Sequence, residues 1–270
     1  MPELPEVETT RRGIEPAVVG RAVTRVVVRD PRLRWRVPAA LTKELPGRVI
    51  GAVARRGKYL LLHTATGAVI LHLGMSGSLR VVRCSDPPGK YDHVDIALDS
   101  GDCLRLRDPR RFGAVLWTRD HARHRLLARL GVEPLGPEFT GDYLFRATRG
   151  RRRAIRDFLL DGSVVAGIGN IYANEALFAA GIRPTRRAGR LDRDQCLRLA
   201  RAIRATLKKA IRAGGTTLRD FRNGRGEPGR FQRALRVYGR GGEACRACGR
   251  PIRALRLGQR SAFFCPRCQQ

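Results

Sequence analysis

Acidic residues are scarce in this 270-residue chain: 24 Asp and Glu stand against 54 Lys and Arg, giving a formal net charge of +30 and a sequence pI near 11.5. Such a deficit points to a polyanionic partner, with nucleic acid the first candidate. A membrane surface or an acidic protein would feel the same field. Long apolar runs are also missing. None approaches the roughly 18 residues that would cross a bilayer, and no apolar signal-peptide core follows the N-terminus. The expectation is a soluble, intracellular chain with no membrane partner. Repeats and long low-complexity segments are absent too, which leaves ordinary globular domains.

What is present is unevenly placed. Residues 1–140 hold 24 basic and 15 acidic side chains, net +9, whereas residues 141–270 hold 30 and 9, net +21. The second half is the stronger electrostatic anchor. With 43% apolar residues, a chain of this length buries a sizeable core and most naturally forms two domains. The run GVEPLGPEFTGD at 131–142 collects Gly and Pro and marks the boundary. Before it, β-rich runs at 22–29, 48–54, 59–63, 68–73, 79–83, 93–98, 103–107 and 114–118 are mostly bounded by Gly, Pro, Asp or Ser, as in a β-sandwich or flattened barrel. Ahead of them, residues 3–19 read as a helix with Leu4, Val7, Ile14 and Val18 on its packed face. After the boundary the period turns helical. Over 192–213, Cys196, Leu199, Ile203, Leu207 and Ile211 recur every three or four residues, with Asp192 available to cap the start and Gly214 to end it.

Met1-Pro2-Glu3 sets a secondary amine beside a carboxylate at the start of the chain. Pro2 is small enough that removal of Met1 is expected. A free α-amine titrates near about 7.7–8.0, so part of it is unprotonated at neutral pH and able to attack an electrophilic carbon. The same residues also suit a stiff helix entry, with Glu3, Glu6 and Glu8 near the positive helix end.

The seven cysteines fall into two groups. Cys245-x2-Cys248 and Cys265-x2-Cys268 have the spacing of two knuckles that supply four thiolates to one tetrahedral zinc; redox or disulfide pairing is the weaker reading in an intracellular chain. Four sulfurs leave no open position for a reacting water, so this zinc would be structural. Cys84, Cys103 and Cys196 read as buried small hydrophobes. Between the knuckles, Arg250, Arg253, Arg256 and Arg260 decorate a hairpin suited to phosphates.

Four further segments carry chemistry or packing. RRGKYLLLH places Lys58 between a glycine and an apolar strand, where it is either a functional cation or a solvated strand-edge lysine. HLGMSG and DPRRFG put Met75 and Phe112 at Gly-flanked loop tips beside Arg110 and Arg111; such tips can wedge between bases, although turn packing would account for either loop alone. GIGNIYANEALF opens a helix near Asn170 after two glycines, leaving free N–H groups for a phosphate.

Taken in order, PELPEVE, RRGKYLL, HLGMSGSLR, DPRRFG, GIGNIYANEALF, TTLRDF and the four-cysteine finger with GQRSAFFCPRC resemble the bacterial formamidopyrimidine-DNA glycosylases along nearly the whole chain. The resemblance implies an α+β protein: an N-terminal β-sandwich with a leading helix over 2–133, a helix-two-turns-helix domain over 134–240, and a zinc-finger hairpin over 241–270. It implies a bifunctional glycosylase and abasic-site lyase, monomeric and cytoplasmic, that removes oxidised purines from damaged double-stranded DNA and holds one structural zinc. Pro2 would be the nucleophile, Glu3 the acid/base, and Glu6 a support for the terminal amine. Lys58 and Arg260 would belong to the catalytic set and, with Asn170, to phosphate contacts around the extruded nucleotide. His72, His93 and Tyr238 would touch DNA. Met75, Arg110 and Phe112 match the trio that fills the void, with Arg110 facing the orphaned cytosine. That trio favours oxidised purines over the pyrimidine lesions of the related endonuclease VIII enzymes. Two positions depart from the family pattern: Gly162 stands where a glutamine is expected, and Arg230 where the lesion-covering loop, within 217–238, often has an aromatic. That loop's glycines, Gly224, Gly226 and Gly229, imply mobility without DNA. A non-catalytic damaged-DNA binder or a zinc-ribbon transcription or RNA factor would share the charge and the finger, but would not need Pro2 beside Glu3 or the intercalating trio.

Overall fold

A computed structural model of the chain describes residues 2–217 and 228–270. The fold is α+β and divides into two compact units: the described residues of Met1–Ala128 with those of Ala213–Gln232, and those of Arg129–Arg212 with Arg233–Gln270. No described helix is long and apolar enough to cross a membrane.

The first unit opens with α1 (Leu4–Val18), and the expected face is the buried one: Leu4, Val7, Ile14 and Val18 are each 1% exposed or less. Eight strands follow: β1 (Val23–Val28), β2 (Ala52–Arg56), β3 (Tyr59–Thr64), β4 (Gly67–His72), β5 (Ser78–Arg83), β6 (Asp92–Leu98), β7 (Asp102–Arg107) and β8 (Ala114–Thr118), with the short helix α2 (Ala39–Glu44) after β1. They build two four-stranded sheets, ordered β1-β6-β7-β5 and β2-β3-β4-β8, with every pairing antiparallel. The core draws on alternate residues, as the period of two demands: Leu60 and Leu62, Val69 and Leu71, Val94, Ile96 and Leu98, Leu104 and Leu106. The run expected as one strand over 48–54 is split. Val23 N–H and Ile50 N–H exchange bonds with Arg48 and Arg21 beside β1, whereas Ala52 onward pairs with β3. One extended stretch therefore serves both sheets, which a hydrophobicity pattern does not register.

The second unit contains α3 (Gly141–Thr148), α4 (Ile155–Leu159), α5 (Asn170–Ala179) and α6 (Arg193–Arg212), then the hairpin β9 (Arg253–Leu257) and β10 (Arg260–Phe264). On α6, Cys196, Leu199, Ile203, Leu207 and Ile211 are all buried. Asp192 caps it: its Oδ1 accepts the Gln195 N–H at 2.7 Å, and the Gln195 side chain accepts the Asp192 N–H at 3.2 Å. Gly214 follows with φ +74°, the left-handed conformation that ends a helix at low cost.

Candidate active site and nucleic-acid interface

Pro2 and Glu3 lie at the entry to α1, and both are buried. Glu6, in the first turn, reaches back so that its Oε2 accepts the Glu3 N–H at 2.8 Å. Its Oε1 accepts the Thr216 N–H at 2.7 Å. A buried carboxylate thus holds the Glu3 backbone with one oxygen and the Thr216 backbone with the other. The helix N-terminus, with its unpaired N–H groups and positive end, suits this concentration of carboxylates.

Lys58 sits with Gly57 in the two-residue turn that joins β2 to β3, where Arg56 pairs with Tyr59. Gly57 has φ +57°, which fits the first central position of a type II′ hairpin turn. The turn delivers Lys58 toward His72 at the end of β4. Burial first, then the charges of Lys58 and Arg34, push the His72 imidazole down to about 4, so it is neutral at physiological pH. Its Nδ1 accepts the Gly74 N–H at 3.0 Å, which puts the ring proton on Nε2 and makes that nitrogen a donor. Tyr59 packs against the ring, with centroids 4.9 Å apart.

His72 borders a cavity of about 670 Å³ lined also by Leu33, Arg34, Met75, Arg110 and Phe112. The expected trio therefore converges on one site. Met75 and Phe112 are 43% and 42% exposed and line the same cavity, so together they make an exposed apolar patch rather than two scattered side chains. The Arg110 guanidinium lies over the Phe112 ring at 4.9 Å. Arg111 between them has φ +56°, a left-handed conformation unfavourable to a side chain, and pairs with Asp30 at 3.2 Å. His93 is buried, its Nε2 bonded at 2.9 Å to the Asp108 carbonyl beneath these loops.

In the second unit, Asn170 opens α5 behind Gly167 and Gly169. Its Oδ1 accepts from the buried Arg156 at 3.0 Å, and its Nδ2 donates to the Ser261 carbonyl at 2.9 Å. That bond places Asn170 next to Arg260, the first residue of β10. Arg156 also donates to the Leu257 carbonyl at 2.8 Å, and with Arg260 it lines a cavity of about 260 Å³. Burial first, eased by Asp157 and worsened by Arg260, lowers the Arg156 pKa. Tyr238 meets Phe263 edge-on at 5.3 Å, and its N–H, with those of Arg236 and Val237, is taken by the Glu175 carboxylate at 2.8–2.9 Å.

The four expected cysteines come together. Their sulfurs all lie within 4.8 Å of one another, with Cys245 to Cys268 at 3.9 Å and Cys248 to Cys265 at 3.4 Å. A tetrahedron of sulfurs at a zinc–sulfur distance of about 2.3 Å has edges of about 3.8 Å, so the donor set fits one structural zinc. Phe178, Val237, Ile252 and Phe263 pack against the thiols. Gln269 locks the second knuckle: its Oε1 accepts the Cys265 N–H at 2.9 Å and its Nε2 donates to the Ile182 carbonyl at 2.8 Å.

The residue pattern carried no signal for Asp108, Arg156, Glu175 or Gln269, all buried polar groups bonded across long sequence separations. Gly162 accepts the Gly131 N–H at 2.8 Å, and Arg230 donates its N–H to Ala213 at 2.9 Å. Of the loop expected to cover the lesion, Gly224 and Gly226 lie outside the described residues.

The sequence matches the Formamidopyrimidine-DNA glycosylase N-terminal domain over residues 1–115 and the Formamidopyrimidine-DNA glycosylase H2TH domain over 130–222. Residues 242–270 match a zinc finger found in FPG and IleRS. The chain belongs to the formamidopyrimidine-DNA glycosylase family. It is 60% identical over the full length of both chains to the formamidopyrimidine-DNA glycosylase of Thioalkalivibrio sulfidiphilus, and 58% identical, again over both full lengths, to that of Stutzerimonas stutzeri. Among solved structures it is similar to the MutM (Fpg) protein of Thermus thermophilus, with TM-score 0.89, 42% identity, and coverage of 99% of this chain and 98% of that one. A Lactococcus lactis Fpg variant in complex with DNA containing Fapy-dG gives TM-score 0.92 at 33% identity, with both chains fully covered. For MutM with DNA containing carbocyclic 8-oxo-G the TM-score is 0.90 at 34% identity, again with full coverage of both chains.

Proposed function

We propose that this family member, once Met1 is removed, excises oxidised purines from duplex DNA and then cuts the strand at the abasic sugar. The carrying observation is the buried Pro2–Glu3 pair held at the mouth of α1 by Glu6. The Pro2 nitrogen attacks C1′ of the damaged nucleotide, the bond from C1′ to the base breaks, and the departing base takes up the proton that the Pro2 N–H releases, so it leaves neutral. Glu3 gives a proton to the sugar ring oxygen as its bond to C1′ opens, which leaves an iminium between Pro2 and C1′. Loss of a C2′ proton to a carboxylate base expels the 3′ phosphate. A second elimination expels the 5′ phosphate, and water then frees the prolyl nitrogen. Lys58, His72 through Nε2–H, Asn170 and Arg260 are the phosphate donors of the reading, and His93 and Tyr238 support the DNA-contacting segments. Met75, Arg110 and Phe112 occupy the vacated stack, with Arg110 toward the orphaned base. The zinc adds no chemical step. The working segments are 2–133 for catalysis, 134–240 for DNA binding and 241–270 for the finger.

The test combines mass measurement of the N-terminus, borohydride trapping, and turnover on duplexes that each carry one defined lesion opposite each normal base. Trapping of the enzyme with 8-oxoguanine or formamidopyrimidine duplexes, lost in Pro2→Gly and with excision lost in Glu3→Gln, is expected. Preference for oxidised pyrimidines would reassign the substrate class. Retention of Met1 on the active protein, or binding without trapping, would overturn the mechanism.

A further inference from the structure

Asp108 is fully buried, and among the described residues its carboxylate forms no ion pair. Burying a charge without a counter-ion is costly unless hydrogen bonds satisfy its oxygens, so a carboxylate at such a place needs a reason. Its bonds supply one. Oδ1 accepts the Ser76 hydroxyl at 2.9 Å and the Arg110 N–H at 3.3 Å; Oδ2 accepts the Gly113 N–H at 2.7 Å. Ser76 adjoins Met75, while Arg110 and Gly113 bracket Phe112. One side chain therefore ties the loop that carries Met75 to the loop that carries Arg110 and Phe112.

Three neighbouring features tighten the tie. Gly74, at φ +61°, sits so close that a Cβ there would lie 2.4 Å from the Phe112 carbonyl carbon and 2.6 Å from its oxygen, so the two main chains touch. The Asp108 carbonyl accepts the Arg111 N–H at 3.2 Å, and Asp30 pairs with the Arg111 guanidinium, which holds the left-handed residue in the tip. The His93 ring, bonded to the same carbonyl, fixes Asp108 from below.

We infer that Asp108 is a positioning residue for base extrusion: it sets Met75, Arg110 and Phe112 as one rigid wedge. This rests on the reading of that trio as the group that fills the vacated stack. A wedge does work on DNA only if its tip does not yield when pressed between bases. Two independently moving loop tips would lose much of the unstacking force. Asparagine cannot reproduce this set: the Ser76 hydroxyl can turn to accept, but the amide NH₂ would still oppose a backbone donor, the Arg110 N–H on one side or the Gly113 N–H on the other.

The experiment compares wild type, Asp108→Asn, Phe112→Ala and the double variant on two duplexes: one with 8-oxoguanine opposite cytosine, one with an abasic site at the same position. The abasic duplex has no damaged base to unstack. Asp108→Asn is expected to slow excision of the paired lesion by roughly 10- to 100-fold, with a much smaller change in abasic cleavage. A 2-aminopurine beside the lesion should show the matching loss of unstacking. The double variant should lose clearly less than the two single losses combined, since Asp108 acts in part through Phe112. Equal losses on both duplexes, or losses that add in the double variant, would overturn the inference and leave Asp108 merely structural. If Phe112→Ala itself treats the two duplexes alike, the wedge reading fails instead. Should Asp108→Asn not fold, Ser76→Ala removes one donor and should give a smaller loss of the same selectivity.

Discussion

Glu6 and Thr216 are joined by a 2.7 Å bond between a buried carboxylate oxygen and a backbone N–H 210 positions away in sequence. The other oxygen of the same carboxylate holds the Glu3 backbone. The catalytic pair proposed at the start of the chain is therefore fixed by a group that also holds the segment preceding 218.

Glu6→Gln keeps the size of the side chain and removes the charge and one acceptor. One of the two N–H groups must then face an amide NH₂, and leaving a buried donor unpaired costs about 1–3 kcal/mol. Thermal unfolding should shift down accordingly, and excision should fall further than DNA affinity does. Unchanged excision in a destabilised variant would show that Glu6 serves the fold alone.

His72 predicts a stability profile. Its folded-state pKa is about 4 against an ordinary 6.5, because burial and then Lys58 and Arg34 disfavour the imidazolium. Below 6.5 the unfolded chain takes up a proton that the folded chain refuses until about 4. Stability therefore falls as pH drops through this window and flattens beneath it. In His72→Gln that component of the slope should vanish; denaturant unfolding of both proteins from pH 7 to pH 4 measures it.

Zinc removal should act on folding and binding, not on the chemical step. Chelation or Cys265→Ala frees the knuckles from their shared ion, and the packing of Phe178, Val237 and Ile252 against them loosens. DNA affinity should drop, most strongly at higher salt, and trapping at saturating DNA should weaken only as far as Arg260, on the finger's hairpin, loses its proposed phosphate contact. Unaltered affinity of metal-free protein would count against a structural ion.

Legibility in the sequence tracked distance along the chain. The packed face of α1, the apolar stripe of α6 and its Asp192 cap rest on neighbours three or four residues apart, and the structure has them where the pattern put them. The cysteine spacing was as clear, because each knuckle is a local turn. Asp108, Arg156 and Glu175 were silent: each is a charged residue in a charged chain, and only the fold shows it buried and bonded to groups 32, 101 or 61–63 positions away. The splitting of 48–54 between two sheets was hidden for the same reason, since partners, not composition, decide which sheet a β-rich run joins.

Gly74 leaves the two loops in backbone contact, so the frame has no room for a side chain there, while the Met75 and Phe112 side chains project outward from it. Frame and tips are thereby separable: the groups proposed to insert can change without redesign of what carries them, so on that reading a new lesion or opposite-base preference needs only residues at the edge of an unaltered mount.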